Sequence, residues 1–254
     1  MIRRLIAFAA AGFCMASHAA CDTGLAERMQ AKLYPERQLD HERALCEPWR
    51  GFMGRFVVVL PMPRPRLPSA PELSTFDLAV LVVQQADNGN TERARVISRF
   101  FQASALTEDA LRIAEMKVDT ARYPLAGDAH AFGVRVIYRA SSRTNPYESD
   151  RLSLFVTEGD RLVRVLDSLE LTLERGEWDA SCAGNFETVR SGLSLLRSTS
   201  SGYADLQLRQ TRSESVSAPQ GDDCMTREKP ASFRTSVLHF DGKSYRAPAG
   251  VTVN

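Results

Sequence analysis

Gly176-Glu177-Trp178-Asp179-Ala180-Ser181-Cys182 places one of only two tryptophans four residues before a cysteine. The stretch sits at a break between two strand-rich halves. A plausible bonding partner, Cys224, lies beyond the next strands. On this reading the fold is organised around a Trp178/Cys182 corner, with Trp178 turned into the core and the second half stapled back by Cys182–Cys224.

Upstream, Phe132-Gly-Val-Arg-Val-Ile-Tyr-Arg-Ala140 alternates cleanly. Phe132, Val134, Val136 and Tyr138 share one face and Arg135 and Arg139 the other, the period of a strand with one face buried. Phe76–Gln85 and Arg93–Phe101 form a hairpin about Asp87-Asn88-Gly89-Asn90. Further strands are predicted at 56–60, 111–123, 152–156, 162–165, 169–173, 189–196, 204–210 and 233–240, with a last hairpin at Asp241-Gly242 closing onto Tyr245. Thr107-Glu108-Asp109 is read as the cap of a short helical turn, and the run from Thr211 to Cys224 as a polar stretch. One helix is expected at 22–34, where Leu25, Met29 and Leu33 recur every four residues and Pro35 ends the pattern. The class is therefore mainly β: an antiparallel meander as a two-layer sandwich or a propeller-like array, with one N-terminal helix.

The chain opens Met1-Ile2-Arg3-Arg4, then runs almost wholly apolar from Leu5 to Ala16, with small residues at 17, 19 and 20. That pattern predicts a cleaved signal peptide over residues 1–20 and export to the periplasm. His18 stands where a lipoprotein signal needs an aliphatic residue, which argues against lipidation. The rest, 21–254, reads as one β-rich domain, with a helix and disulfide-tethered loop over 21–50. Pro61, Pro63, Pro65, Pro68 and Pro71 mark an extended crossing over 61–72, because proline lacks an amide hydrogen and fixes its own φ. No further transmembrane segment is expected.

Losing Arg3 and Arg4 takes Lys plus Arg from 32 to 30 against 31 Asp plus Glu, a net charge of −1. Such a chain has no long-range field to draw in nucleic acid. Of five cysteines, Cys14 leaves with the signal. Four in an exported chain read as two disulfides, and of the three pairings the local set, Cys21–Cys46 and Cys182–Cys224, is expected. Cys-x-x-Cys spacing is missing, so no metal is expected, nor any other cofactor.

No catalytic residue is assigned. His41, His130 and His239 are isolated, although His239 and Asp241 can share a strand face. Ser191-Gly-Leu-Ser-Leu195 lacks the second glycine of a nucleophile elbow. Candidate binding residues are Trp178 with Glu177 and Asp179, an aromatic between acids of the kind sugar sites use, and Arg122, Arg135 and Arg139, whose forked guanidiniums suit an acidic surface. The plainer reading makes all of them solvated groups paired with neighbouring acids.

Asp119-Thr-Ala-Arg-Tyr, Ala131-Phe-Gly-Val-Arg-Val, Gly176-Glu-Trp-Asp…Cys182-Ala-Gly and Gly202-Tyr-Ala-Asp-Leu together resemble a group of exported proteins of Gram-negative bacteria over most of the mature length. No assigned activity comes with that group, so the resemblance implies no functional residue. The strand-turn-strand units, with Ala204-Asp-Leu and Phe240-Asp-Gly…Tyr245, are loosely similar to the blades of FG-GAP-type propellers, but the acidic calcium loop of those repeats is missing. The function expected is non-enzymatic binding of an exported or envelope protein, as an inhibitor or immunity-type protein, through an aromatic patch including Trp49, Arg135 or Tyr147. The alternatives are a hydrolase of envelope polysaccharide and a structural envelope component.

Overall fold

A computed structural model describes residues 24–85 and 91–246. Thirteen strands and one α-helix are present among them, in a large mixed sheet that does not close into a barrel. The signal segment, Cys21 and the turn at 87–90 lie outside the described residues.

The mainly β class with one helix is what the alternating sequence dictates. Helix α1 (Leu25–Leu33) is followed by β1 (Leu45–Pro48), β2 (Arg55–Pro63), β3 (Ser74–Gln84) and β4 (Arg95–Glu108). These four strands pair in order, each antiparallel to the last. A second antiparallel run contains β5 (Leu111–Pro124), β6 (His130–Ala140), β7 (Tyr147–Glu158) and β8 (Arg161–Trp178). A third contains β9 (Gly184–Ser200), β10 (Tyr203–Gln220), β12 (Ser232–Phe240) and β13 (Tyr245–Arg246), with β11 (Asp223–Glu228) beside the far end of β10.

Packing stacks these runs as layers. Val57, Val59, Leu78, Val80 and Val82 face Phe132, Val134, Val136 and Phe155. The alternate residues Val58, Leu60, Ala79 and Leu81 face Leu25 and Met29 of α1. Leu152, Leu154 and Val156 point away from the first interface, toward Leu206, Leu208 and Leu238. Strand β3 is thus buried on both faces, which is why its sequence from Leu78 to Val83 is continuously apolar, and β7 is buried on both faces from Leu154 to Val156.

Two short connections move the chain between layers. Asp109-Ala110 joins β4 to β5, which do not pair with each other. Glu108 is not a helix cap as its sequence suggests. Its carboxylate is buried, accepts the Ile113 amide (2.9 Å) and pairs with Arg43 (2.9 Å), fixing the turn between layers. Strands β8 and β9 pair only over Thr172–Trp178 and Gly184–Arg190, then splay into different layers.

The sequence expectations need four corrections here. Pro61 and Pro63 belong to β2 and not to the crossing, because β1 ends opposite Val59 and no strand on that side needs their missing amide hydrogens. Residues 45–48, read as loop, form β1. The polar stretch 211–224 is β10 and the start of β11, a ribbon whose strands bury too little to show alternation. Finally, the tryptophan in the core is Trp49, 3% exposed against Phe52 and Phe132, while Trp178 is half-buried at the tip of β8 and outside every core cluster.

Buried Asp77 on β3 holds the entry of the chain together. It accepts the Ser104 amide (2.8 Å), and it pairs with Arg64 (3.1 Å) and Arg37. Among the apolar residues, Phe132 and Phe155 are fully buried with ring centroids 5.9 Å apart. Phe155→Ala should cost about 3–5 kcal/mol, read as a lower denaturant midpoint at unchanged slope.

Candidate functional site

The ribbon formed where β7, β8, β9 and β10 run side by side carries three adjoining depressions. One of about 520 Å³ is lined by Tyr147, Arg175, Glu177, Phe186, Glu187 and Arg212, among others. A second of about 390 Å³ shares Tyr147, Arg175, Phe186 and Glu187 and reaches Arg139. A third of about 330 Å³ at the ribbon tip is lined by Glu177, Trp178 and Asp179. They adjoin one another, so the surface is one groove along the ribbon.

Strand register builds it. Tyr147, Arg175, Glu187 and Glu214 stand opposite one another in a row across four strands. Along that row the charges form a chain: Arg175–Glu187 2.7 Å, Arg212–Glu187 3.0 Å, Arg212–Glu214 2.9 Å and Lys229–Glu214 2.8 Å. The hydrogen bond from Lys229 lowers the Glu214 carboxyl from its ordinary value, and Glu187 raises the Arg175 guanidinium. Burial pushes Glu170, a neighbour of this row, upward.

Phe186 needs two glycines. A Cβ on Gly176 would come within 2.5 Å of the Phe186 ring, and one on Gly184 within 3.0 Å. Their bare backbones leave the space in which the ring lies. Beyond it the turn is fixed by Asp179, whose Oδ1 accepts the amides of Ser181 and Cys182 (both 2.8 Å), which lowers its pKa from the usual carboxylate value. The Cys182–Cys224 disulfide ties this turn to β11, with Cα atoms 5.5 Å apart. Cys46 is also disulfide-bonded; its expected partner, Cys21, lies outside the described residues.

The structure brings together Glu177, Trp178, Asp179 and, at the other end of the groove, Arg139. It does not bring Arg122 or Arg135 there. Arg135 binds Asp150 on β7 through both Nε and Nη2, and with Asp119 it lines a separate shallow depression. Arg139 pairs with Glu148 (2.6 Å), as a solvated sheet face does. Arg122 is exposed. Sequence reasoning missed Tyr147's neighbours Arg175, Phe186, Glu187, Arg212, Glu214 and Lys229. The available signal was Gly176 and Gly184 placed on either side of one turn, next to a phenylalanine.

His239 pairs with Asp205 (3.1 Å) and Ser200 (3.2 Å), not with Asp241. Asp241 instead accepts the amides of Lys243 and Ser244 and a bond from Arg246, which brings its pKa down to about 2. Among the described residues no three metal-ligating side chains cluster, and no helix is long and apolar enough to cross a membrane. No family model, curated protein or solved structure matches the chain.

The Asp205 carboxyl is shut off from solvent and lowered, first by the Ser198 hydroxyl (2.7 Å), then by Ser200 and His239. A lowered folded pKa gives stabilisation that is complete above the unfolded value, about 3.9, and fades as pH falls through the folded one. Asp205→Asn should therefore flatten the fall in urea midpoint between about pH 4 and pH 2. Removing the disulfide as Cys182→Ser/Cys224→Ser, which opens a separation of 42 residues, should cost roughly 4 kcal/mol and raise amide exchange first at 179–186 and 223–228.

Proposed function

We propose that this is an exported, non-enzymatic binding protein that engages a protein partner of the cell envelope through the groove over Tyr147 and Phe186. The observation that carries the reading is the continuous charge chain from Arg175 to Lys229 beside that aromatic pair. Most of its members are half exposed, and exposed ion pairs contribute only about 0–1 kcal/mol each to folding. Their joint effect is to hold long side chains extended before any partner arrives, which lowers the entropy cost of binding. Alternating signs next to aromatic rings suit a protein surface of complementary charge.

Two further points support the reading. The disulfide fits an oxidising compartment outside the cytoplasm. The basic, apolar opening of the chain fits export to the periplasm. The patch first expected is redrawn: Trp49 lies in the core and Arg135 is occupied by Asp150, so of those three Tyr147 alone belongs to the binding face. An inhibitor or immunity-type role against an envelope-acting protein is the narrower form of this proposal.

The test is capture from envelope extracts with the tagged, disulfide-intact protein, the bound species being identified by mass spectrometry. One dominant protein should appear, and Phe186→Ala/Arg175→Ala should weaken it at least tenfold, about 1.4 kcal/mol, with only a small fall in the denaturant midpoint. Recovery of glycan fragments, or binding insensitive to both substitutions, overturns the reading.

A further inference from the structure

A second cavity, of about 240 Å³, lies between the first two layers and shares no lining residue with the ribbon groove, although its Arg151 reaches the Tyr147 hydroxyl. It opens because β4 and β8 touch at a single parallel pair, Arg99 opposite Arg161, and then diverge. The wedge between the first two layers is walled by Leu78, Leu106, Val134, Val136 and Phe155. Those side chains alone would make an ordinary packing defect.

The polar groups in the wall do not fit that explanation. Gln102 lines the cavity, and its Oε1 is sealed from solvent with no hydrogen-bond donor among the described residues. A buried acceptor left without a donor forfeits its hydration with nothing in return. Arg151 also lines it, its guanidinium 4.9 Å from the Tyr138 ring centroid and 3.4 Å from the Tyr147 hydroxyl. Unlike Arg164, which pairs with Asp167 at 2.7 Å, Arg151 has no carboxylate within ion-pair distance among the described residues. Glu170 stands opposite it on β8 and acts on it only through space.

The backbone is strained at the same place. Ser168 in the wall and Ser104, between wall residues Gln102 and Ala105, have φ of 47° and 50°. Non-glycine residues in this left-handed region are uncommon, and such strain gathers at ligand sites. Each sits by a register shift in its strand pair, of the kind that re-aims side chains. Ser168 is held there by its amide donating to Ser153 Oγ (3.0 Å) and its hydroxyl donating to Asp167 (3.0 Å).

We propose that this cavity binds a small amphipathic carboxylate: an apolar body against the aliphatic wall, an anionic head on Arg151 and a hydroxyl that donates to Gln102 Oε1. A guanidinium already stacked on an aromatic ring is prepared for a carboxylate. Few, placed polar groups in an apolar cavity are the usual make-up of a small-ligand site. The proposal does not depend on the partner groove.

The disulfide-intact protein is titrated with 4-hydroxyphenylacetate and with the uncharged 4-hydroxyphenylacetamide, followed by amide chemical shifts and calorimetry. The acid should saturate with a Kd of about 1 mM or tighter, shifting the amides of Gln102, Ala105 and Ser168. The amide should bind at least tenfold more weakly, and Arg151→Gln should erase that difference. Ala105→Leu, which fills space without touching Arg151, should abolish binding in a protein whose midpoint is unchanged or raised. No saturable shift at millimolar acid, equal binding of acid and amide, or shifts confined to Tyr147 and Phe186 would each overturn the proposal.

Discussion

Everything in this fold depends on one constraint: the middle layer, β6 to β8, has protein on both sides. Phe132, Leu152, Leu154 and Phe155 have no exposed surface. A strand buried on both faces buries every residue, not every second one, and at about 25 cal/mol per Å² that is the largest source of stability available to a sheet. The aromatic side of this layer is continuous. Trp49 meets Phe132 at 5.2 Å, Phe132 meets Phe155 at 5.9 Å, and Phe155 meets Phe100 at 5.2 Å. The first and second strand runs are linked by that file of rings. The first layer repeats the device, with α1 covering the face of β2 and β3 that the rings do not touch.

This arrangement explains what was legible in the sequence. Phe132 to Ala140 alternates because Arg135 and Arg139 leave the core for partners on β7, so one face reads as polar. Phe76 to Gln85 reads as a strand because its apolar run is short and β-branched. The ribbon of β10 and β11 was illegible for the opposite reason. Residues 211–228 bury little on either face, so they carry no period, and their pairing rests on backbone hydrogen bonds that any sequence can make. The two tryptophans show the limit most plainly. Trp178 and Trp49 each stand near a cysteine and a turn. Which one enters the core is decided by Phe52 and Phe132, the latter far away in sequence.

The candidate groove was half visible for a related reason. Glu177, Trp178 and Asp179 adjoin in sequence and therefore stood out together. Arg175, Glu187, Arg212, Glu214 and Lys229 meet only through the registers of β8, β9, β10 and the segment after β11. A one-residue slip of either pairing would send alternate side chains to the opposite face and break the chain of charges. Arg135 and Arg139 seemed alike in sequence, four residues apart on one strand face. Asp150 takes both arms of the first, whereas the second lies at the groove's end beside Tyr147.

The packed core and the groove are thus housed in different parts of the chain. The ribbon beyond Thr172 buries little apolar area, so hydrophobic packing does not set its shape. Its geometry comes instead from a ring fitted against two glycines, an aspartate that caps the turn, a disulfide at the tip and a row of salt bridges. Except for the disulfide, each contributes modestly to folding, yet together they over-determine one twisted conformation of an exposed ribbon. An unconstrained ribbon of this length would fray and present edges for non-specific pairing. Constraint concentrated where the core does not require it is the physical ground on which binding at the groove is proposed.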